Sequence, residues 1–159
     1  MRNDIEIRKA ETSDMERLNS LLYQVHKVHS TVRPDLFVSG KKKYTDQQLA
    51  EILHDESKPI FVATLDGVVV GYAFCVFQTH ENSPSLTNIK TLYIDDLCVD
   101  ETMRGKGIGK LLYDYVLQFA KERGCYNVTL NVWADNQSAV AFYNKIGLKI
   151  QKIGMEKIL

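Results

Sequence analysis

Residues 91–112 join a β-rich run, Thr91-Leu-Tyr-Ile-Asp-Asp-Leu-Cys-Val99, to the glycine-rich turn Arg104-Gly-Lys-Gly-Ile-Gly109, which opens into an amphipathic stretch. Glycine at alternate positions, Gly105, Gly107 and Gly109, strips Cβ atoms from one side of the turn. Successive backbone N–H groups can then converge on an anion at the positive end of the following helix. Glycine costs about 0.5–1 kcal/mol wherever a helix or strand must form, so three within five residues need a reason beyond flexibility. The unit reads as strand, pyrophosphate cradle and helix. Arg104, Lys106 and Lys110 would add positive charge around the cradle, and Ile108 would carry it into the helix.

Two familiar phosphate loops do not fit. A Walker loop requires a hydroxyl residue after Gly-Lys, whereas Leu111 follows Gly109-Lys110 and the glycine spacing differs. A dinucleotide fingerprint places its third glycine one residue later and needs a βαβ unit with an acidic residue beyond it.

The chain has 159 residues, 45% hydrophobic and 25% charged, which suits a single domain over 1–159 with one core. Twenty basic and twenty acidic residues cancel, so no broad basic field invites a nucleic acid. The charged start, Met1 to Lys9, lacks the apolar core of a signal peptide, and Val68–Phe77 is too short to span a bilayer. A cytoplasmic protein without a membrane partner is expected. Cys75, Cys98 and Cys125 are widely spaced, and none of the four histidines sits at ligand spacing from them, so neither a disulfide framework nor a metal is expected.

Periodicity predicts the elements. Ile5 and Ile7 alternate as a strand, and Ser13-x-x-Glu16 reads as a capping box before the helical series Leu18, Leu21, Leu22, Val25, running to about His29. Thr45-x-x-Gln48 is a second box, opening a helix with Leu49, Ile52 and Leu53 inward. Strands 60–65 and 68–77 flank the hairpin dipeptide Asp66-Gly67, and a third strand covers 89–99. Apolar residues at 108, 111, 112, 115, 116, 119 and 120 mark a buried helix face. Val128, Leu130 and Val132 form a strand, Asp135 or Asn136 caps a short helix to Ile146, and 148–153 reads as a final strand. The order β, α, α, β, β, β, α, β, α, β describes an α/β fold, a mixed sheet with helices on both faces.

The pattern Arg104-x-x-Gly107-x-Gly109 resembles the coenzyme A pyrophosphate loop of the GNAT superfamily of N-acetyltransferases. A second block, Asn136-x-x-Ala139-x-x-Phe142-Tyr143 followed by Gly147-Leu148, is also similar to the GNAT pattern, and the likeness covers most of the chain. Ile-Asp-Asp-Leu-Cys-Val resembles the acidic strand of polyamine and other small-amine acetyltransferases. The resemblance implies a mostly antiparallel twisted sheet and acetyl-coenzyme A as cofactor. It also implies transfer of acetyl to a primary amine of a small molecule, by direct attack within a ternary complex. Leu97, Cys98 and Val99 would pair with the pantetheine arm, with Asn136, Ala139, Phe142 and Tyr143 flanking it. Tyr143 would also serve as the acid toward the departing thiolate, because a phenol stays protonated at neutral pH.

Asp95 and Asp96 sit in an apolar strand whose alternation sends them to opposite faces, so only one would meet the acetyl-transfer cleft, and Asp95 is the candidate base. A strand-end residue paired with lysine or placed at a bulge is the competing reading, as is a water relay in place of the carboxylate. His26, His29, Arg33 and Asp35 cluster at the end of the first helix, which in similar proteins borders the acceptor site, and Trp133 would wall it. Cys98 has no adjacent histidine to make it a nucleophile. A peptide N-terminus or protein lysine as acceptor, and a non-catalytic coenzyme A-binding module, remain open. Homodimers are common among similar proteins.

Overall fold

The computed structural model describes residues 4–159. Its five strands are β1 (Ile5–Lys9), β2 (Ile60–Leu65), β3 (Val68–Gln78), β4 (Thr91–Val99) and β5 (Asn127–Leu130). They form one sheet in the order β1-β2-β3-β4-β5, antiparallel except for the parallel pair β4/β5. Four α-helices accompany it: α1 (Met15–Val32), α2 (Asp46–Leu53), α3 (Ile108–Glu122) and α4 (Gln137–Lys145). The parallel pair follows from α3, which crosses over between β4 and β5 as parallel neighbours require.

Local chemistry sets several boundaries. Asp66 (φ 50°) and Gly67 (φ 79°) supply the two positive φ values of the tight β2–β3 turn, and Leu65 faces Val68 across it. Thr45 and Gln48 form the expected reciprocal cap on α2. At the start of α1 the box is displaced from the expected Ser13/Glu16 pair: Glu11 and Asp14 close it around a short 3-10 turn instead. Asp14 can do this because its carboxylate is already fixed by Arg8. Helix α1 runs three residues past His29 and stops at Arg33, immediately before Pro34.

Two apolar layers cover the two sheet faces. Leu18, Leu21 and Leu22 of α1 and Leu49 of α2 pack with Val62, Tyr72, Phe74 and Cys98 on one side. On the other, Ile108, Leu112, Val116 and Ala120 of α3 pack with Phe61, Ala63, Ala73, Cys75, Leu92 and Ile94. The buried row on α3 is the straight i, i+4 series. Leu111 and Tyr115, predicted to be inward, flank it and stay exposed, while Tyr113 is buried.

One expected strand does not form. Residues 149–159 carry no regular secondary structure, and Ile150 and Ile153 are exposed. β5, four residues long, therefore ends the sheet. The tail is instead tied down by an ion pair from Arg33 Nη1 to Glu156 Oε1 at 2.6 Å.

Arg8 grips the buried Asp14 through two hydrogen bonds, Nη1 to Oδ2 at 2.8 Å and Nη2 to Oδ1 at 3.0 Å, and the Glu11 N–H donates to Oδ2 at 2.8 Å. Asp14→Ala should lower stability by about 1.5–3 kcal/mol in denaturant titrations near neutral pH. The Arg8 guanidinium holds the Asp14 carboxyl below the usual carboxylate range. Its contribution is therefore complete above the unfolded value of about 4 and is lost as pH falls through the lower folded value, so the variant and the parent should converge in strong acid.

Candidate active site

The site begins where two strands part. Strand β5 pairs with β4 only from Thr91↔Asn127 to Ile94↔Leu130, while β4 continues to Val99. On its other edge β4 stays paired with β3, and just beyond the strand the Asp100 N–H donates to Val70 O at 2.8 Å. Backbone groups alternate sides along a strand, so those of Asp96 and Cys98 also face β3, whereas the N–H and C=O of Leu97 and Val99 face the opened edge. That edge is a ready row of donors and acceptors for an extended amide-bearing ligand.

The fork coincides with a β-bulge. Phe74 pairs with Asp96 and Cys75 with Ile94, which leaves Asp95 as the extra residue. The expected alternation of the two carboxylates therefore fails: both reach partners on the α1–α2 side. Asp95 Oδ1 lies 3.0 Å from Lys43 Nζ, Asp95 Oδ2 accepts from the Tyr44 hydroxyl, and the Asp95 carbonyl accepts from Lys43 Nζ at 3.2 Å. Asp96 Oδ2 accepts from the buried Tyr72 hydroxyl at 2.8 Å. The Tyr44 and Phe74 rings stack at 5.6 Å, and Phe74 meets Tyr72 edge to face at 4.8 Å. Burial, aided by the Asp95 charge, pushes the Asp96 carboxyl up to about 6 against the opposing effects of Tyr72 and Lys43. Burial, with Asp95 accepting its proton, also raises the Tyr44 phenol.

Helix α4 brings Tyr143 toward this acidic end. Burial pushes its phenol up to about 12, and the Asp96 and Cys98 groups add to the shift. Asn136 caps α4, its Oδ1 accepting from the Ala139 N–H at 3.2 Å, which spends the carbonyl and leaves the amide N–H₂ to donate. Phe142 packs onto the start of α3. A Cβ on Gly109 would stand 3.1 Å from Phe142 Cζ, so glycine at 109 allows α3 and α4 to approach. Cys98 is buried, its thiol pushed up to about 12, and so is held as a thiol.

The other two glycines serve the turn itself. Gly105 (φ 79°) and Gly107 (φ 78°) both adopt left-handed conformations, and Gly107 occupies the N-cap position of α3 without a side chain to cap it. The first turn of this 15-residue helix, at Ile108, Gly109 and Lys110, accordingly presents N–H groups that the helix itself cannot satisfy. An anion such as a pyrophosphate fits that end. Lys106 Nζ lies 3.9 Å from Met103 Sδ, and Arg104 follows at the end of the preceding 3-10 turn. Lys110 pairs with Asp114 at 2.7 Å on the exposed face of α3, so its charge is partly committed.

The structure draws His26, His29, Arg33, Asp35 and Trp133 into one cluster with Phe37 and Glu156, which the sequence did not disclose. Phe37 stacks on His29 at 5.1 Å and meets Trp133 at 5.7 Å and His26 at 5.7 Å. Arg33 lies 5.6 Å above the Trp133 ring and bonds Asp35 through Nε at 3.0 Å and Nη2 at 2.9 Å, in addition to Glu156. Each of its three nitrogens thus meets a carboxylate of the protein, which ties the end of α1 to the tail. His26 Nε2 lies 2.6 Å from Val38 O. Burial lowers the His29 pKa, and the Lys43 and His26 charges add to it, so the ring is neutral at pH 7. Lys43, Tyr44, Tyr72, Phe37 and Glu156 carried no local sequence signal; Tyr72 could have been found only by knowing the β3–β4 register. Among the described residues no group of three His, Cys, Asp or Glu is placed to hold a metal ion, and no helix is long and apolar enough to cross a membrane.

The model of the acetyltransferase (GNAT) family matches residues 24–148. A crystal structure of a variant of the BH1408 protein from Bacillus halodurans superposes with a TM-score of 0.92 at 32% identity, covering 97% of this chain and 99% of that one. An uncharacterized N-acetyltransferase of Methanocaldococcus jannaschii is 27% identical over 119 residues, 75% of this chain and 51% of that protein, so the match spans about half of that relative. Glucosamine 6-phosphate N-acetyltransferase of Trypanosoma brucei brucei is 28% identical over 92% of this chain and 90% of its own length. With the family model covering well over half of the sequence, the chain belongs to the GNAT acetyltransferase family.

Proposed function

We propose that this protein transfers acetyl from acetyl-coenzyme A to a primary amine of a small molecule, by direct attack in a ternary complex. The observation that carries the reading is the parting of β4 from β5 at a bulge that offers two carboxylates, with Tyr143 brought up by α4. Coenzyme-bound acetyl supplies a thioester carbonyl and a good leaving group. The turn at Gly105–Lys110 would hold the pyrophosphate, with Arg104 and Lys106 beside it. Leu97 and Val99 would pair with the pantetheine amides along the opened edge, with the Leu97 N–H placed to polarise the thioester carbonyl. Asn136, Ala139 and Phe142 would line the arm.

Amines have a pKa of about 10.4 and arrive protonated, so the site must hold an ammonium and take a proton from it. Asp95 would do both. Asp96, with its carboxyl at about 6, keeps a second negative charge beside it above that pH. Tyr143 would donate a hydrogen bond to the departing sulfur. A phenol at about 12 against a thiol of about 8.5 makes complete proton transfer unfavourable, so stabilisation of the thiolate is its contribution.

A cavity of about 100 Å³ beside Asp95, lined by Tyr44, Ile52, Phe74 and Val76 among others, admits a slender amine arm. Tyr44 of the α1–α2 connection lines it and bonds Asp95, as Lys43 does, which supports a small acceptor over an open peptide groove. The Trypanosoma relative is named for an amino sugar phosphate, also a primary amine. The intact pair of carboxylates and Tyr143 weigh against a module that only binds the coenzyme.

Release of coenzyme A thiol should depend on an added amine in a panel of polyamines, amino sugars, aminoglycosides, amino acids and short peptides; tight coenzyme binding with no release would refute the enzymatic reading. Tyr143→Phe should lower kcat by about tenfold or more with coenzyme affinity retained in titration calorimetry. Gly107→Trp, whose side chain would fill the cradle, should weaken coenzyme A binding at least about tenfold while the chain stays folded by circular dichroism. The pH profile of kcat/KM should rise with acceptor deprotonation and carry an acid limb near pH 6 from Asp96, and Asp96→Asn should remove that limb. An unshifted limb in the variant would reassign it.

A further inference from the structure

Lys43 holds the position that the proposed function gives to the acceptor amine. Its ammonium is 3.0 Å from Asp95 Oδ1 and 3.2 Å from the Asp95 carbonyl, at the first residue past the fork and two residues ahead of the Leu97 N–H. It is also 5.7 Å from the centre of the Tyr44 ring, whose hydroxyl bonds the same carboxylate. Chemically, Lys43 is a primary alkylammonium on a four-carbon arm, and the site receives it with a carboxylate, a carbonyl and an aromatic face. Its side chain remains 41% exposed, so the pairing is reversible and the arm can shift. The neighbouring lysines lack this placement: Lys42 pairs with Asp46 on α2, and Lys41 is exposed on the loop.

We propose that Lys43 is an internal acceptor, acetylated by its own active site when acetyl-coenzyme A is bound and no external amine competes. The step balances as an ordinary aminolysis. The Lys43 ammonium gives up one proton through Asp95, and its nitrogen forms a bond to the acetyl carbon. The carbon–sulfur bond breaks, and coenzyme A leaves as the thiol after protonation, with net release of one proton. The product is a neutral amide. It cannot pair with Asp95, so acetylation removes the ion pair that now spans the α1–α2 loop and the bulge, and gives the carboxylate over to an external ammonium. The inference rests on the acetyltransferase reading of this site and adds a modification site to it.

The test incubates the 159-residue chain with acetyl-coenzyme A, without and with a small amine that the thiol-release panel shows to be a substrate, and maps modified lysines by peptide mass spectrometry. Acetyl should accumulate at Lys43 and not at Lys41, with a first-order rate independent of protein concentration. Excess external amine should suppress it, and Tyr143→Phe should slow it about tenfold or more. A second measurement needs no coenzyme: trace labelling with acetic anhydride should find Lys43 more reactive in Asp95→Asn than in the parent, with Lys41 unchanged. Acetylation of external amines with Lys43 left unmodified would overturn the inference and leave the enzyme intact. No acetyl transfer to either would overturn the reading beneath it. Equal labelling of Lys43 in parent and variant would refute its seat on Asp95, and equal modification of all lysines, as in the urea-unfolded chain, would mark mere chemical acetylation.

Discussion

The opened edge of β4 is the constraint on which the rest of the site depends. Backbone N–H and C=O groups in a sheet must be paired, and along residues 97–99 one edge of the strand has β3 while the other is turned toward a strand that has already ended. In the proposed function an amide-bearing ligand completes it. What surrounds the edge follows from the sheet: α3 starts at Ile108 after the turn that leaves β4 at Val99, and α4 follows β5 and returns Phe142 to the first turn of α3. The parallel crossover through α3 thus brings the start of α3, with its unsatisfied N–H groups, against Phe142 of α4.

The bulge at Asp95 sets where the two carboxylates of β4 lie. A regular strand would have sent Asp95 and Asp96 to opposite faces and left one of them among the apolar side chains under α3. The extra residue lets both point toward α1 and α2, where Tyr72, Tyr44 and Lys43 share their charge. Two adjacent carboxylates on one side disfavour ionising together, which contributes to the raised Asp96 carboxyl, although burial is the larger cause. The same concentration of negative charge suits the arrival of a cation.

Local signals in the sequence were sufficient for most of the framework. Asp66-Gly67 announced its hairpin, Thr45 and Gln48 their cap, and the 108–120 periodicity its helix, because each depends on neighbours along the chain. The glycine turn was readable for the same reason, and the structure separates its three glycines by role: positive φ at Gly105 and Gly107, close packing at Gly109. What stayed hidden depends on tertiary register. The bulge arises from the β3–β4 pairing, the hold of Lys43 and Tyr44 on Asp95 from how the α1–α2 loop folds back, and the Arg33–Glu156 pair from the path of the tail. The final strand failed for a related reason: apolar residues at 148–153 supply strand propensity but do not set the path of the tail, which Arg33 holds through Glu156.

Amide hydrogen exchange with and without acetyl-coenzyme A tests the central claim most directly, because it reads the backbone groups themselves. Binding should slow exchange at Leu97 and Val99 and across Gly105–Lys110, while the Asp100 N–H, already bonded to Val70, changes little. Bound coenzyme with no protection at Leu97 and Val99 would contradict the account, since the opened edge of β4 would then not be the surface that receives it.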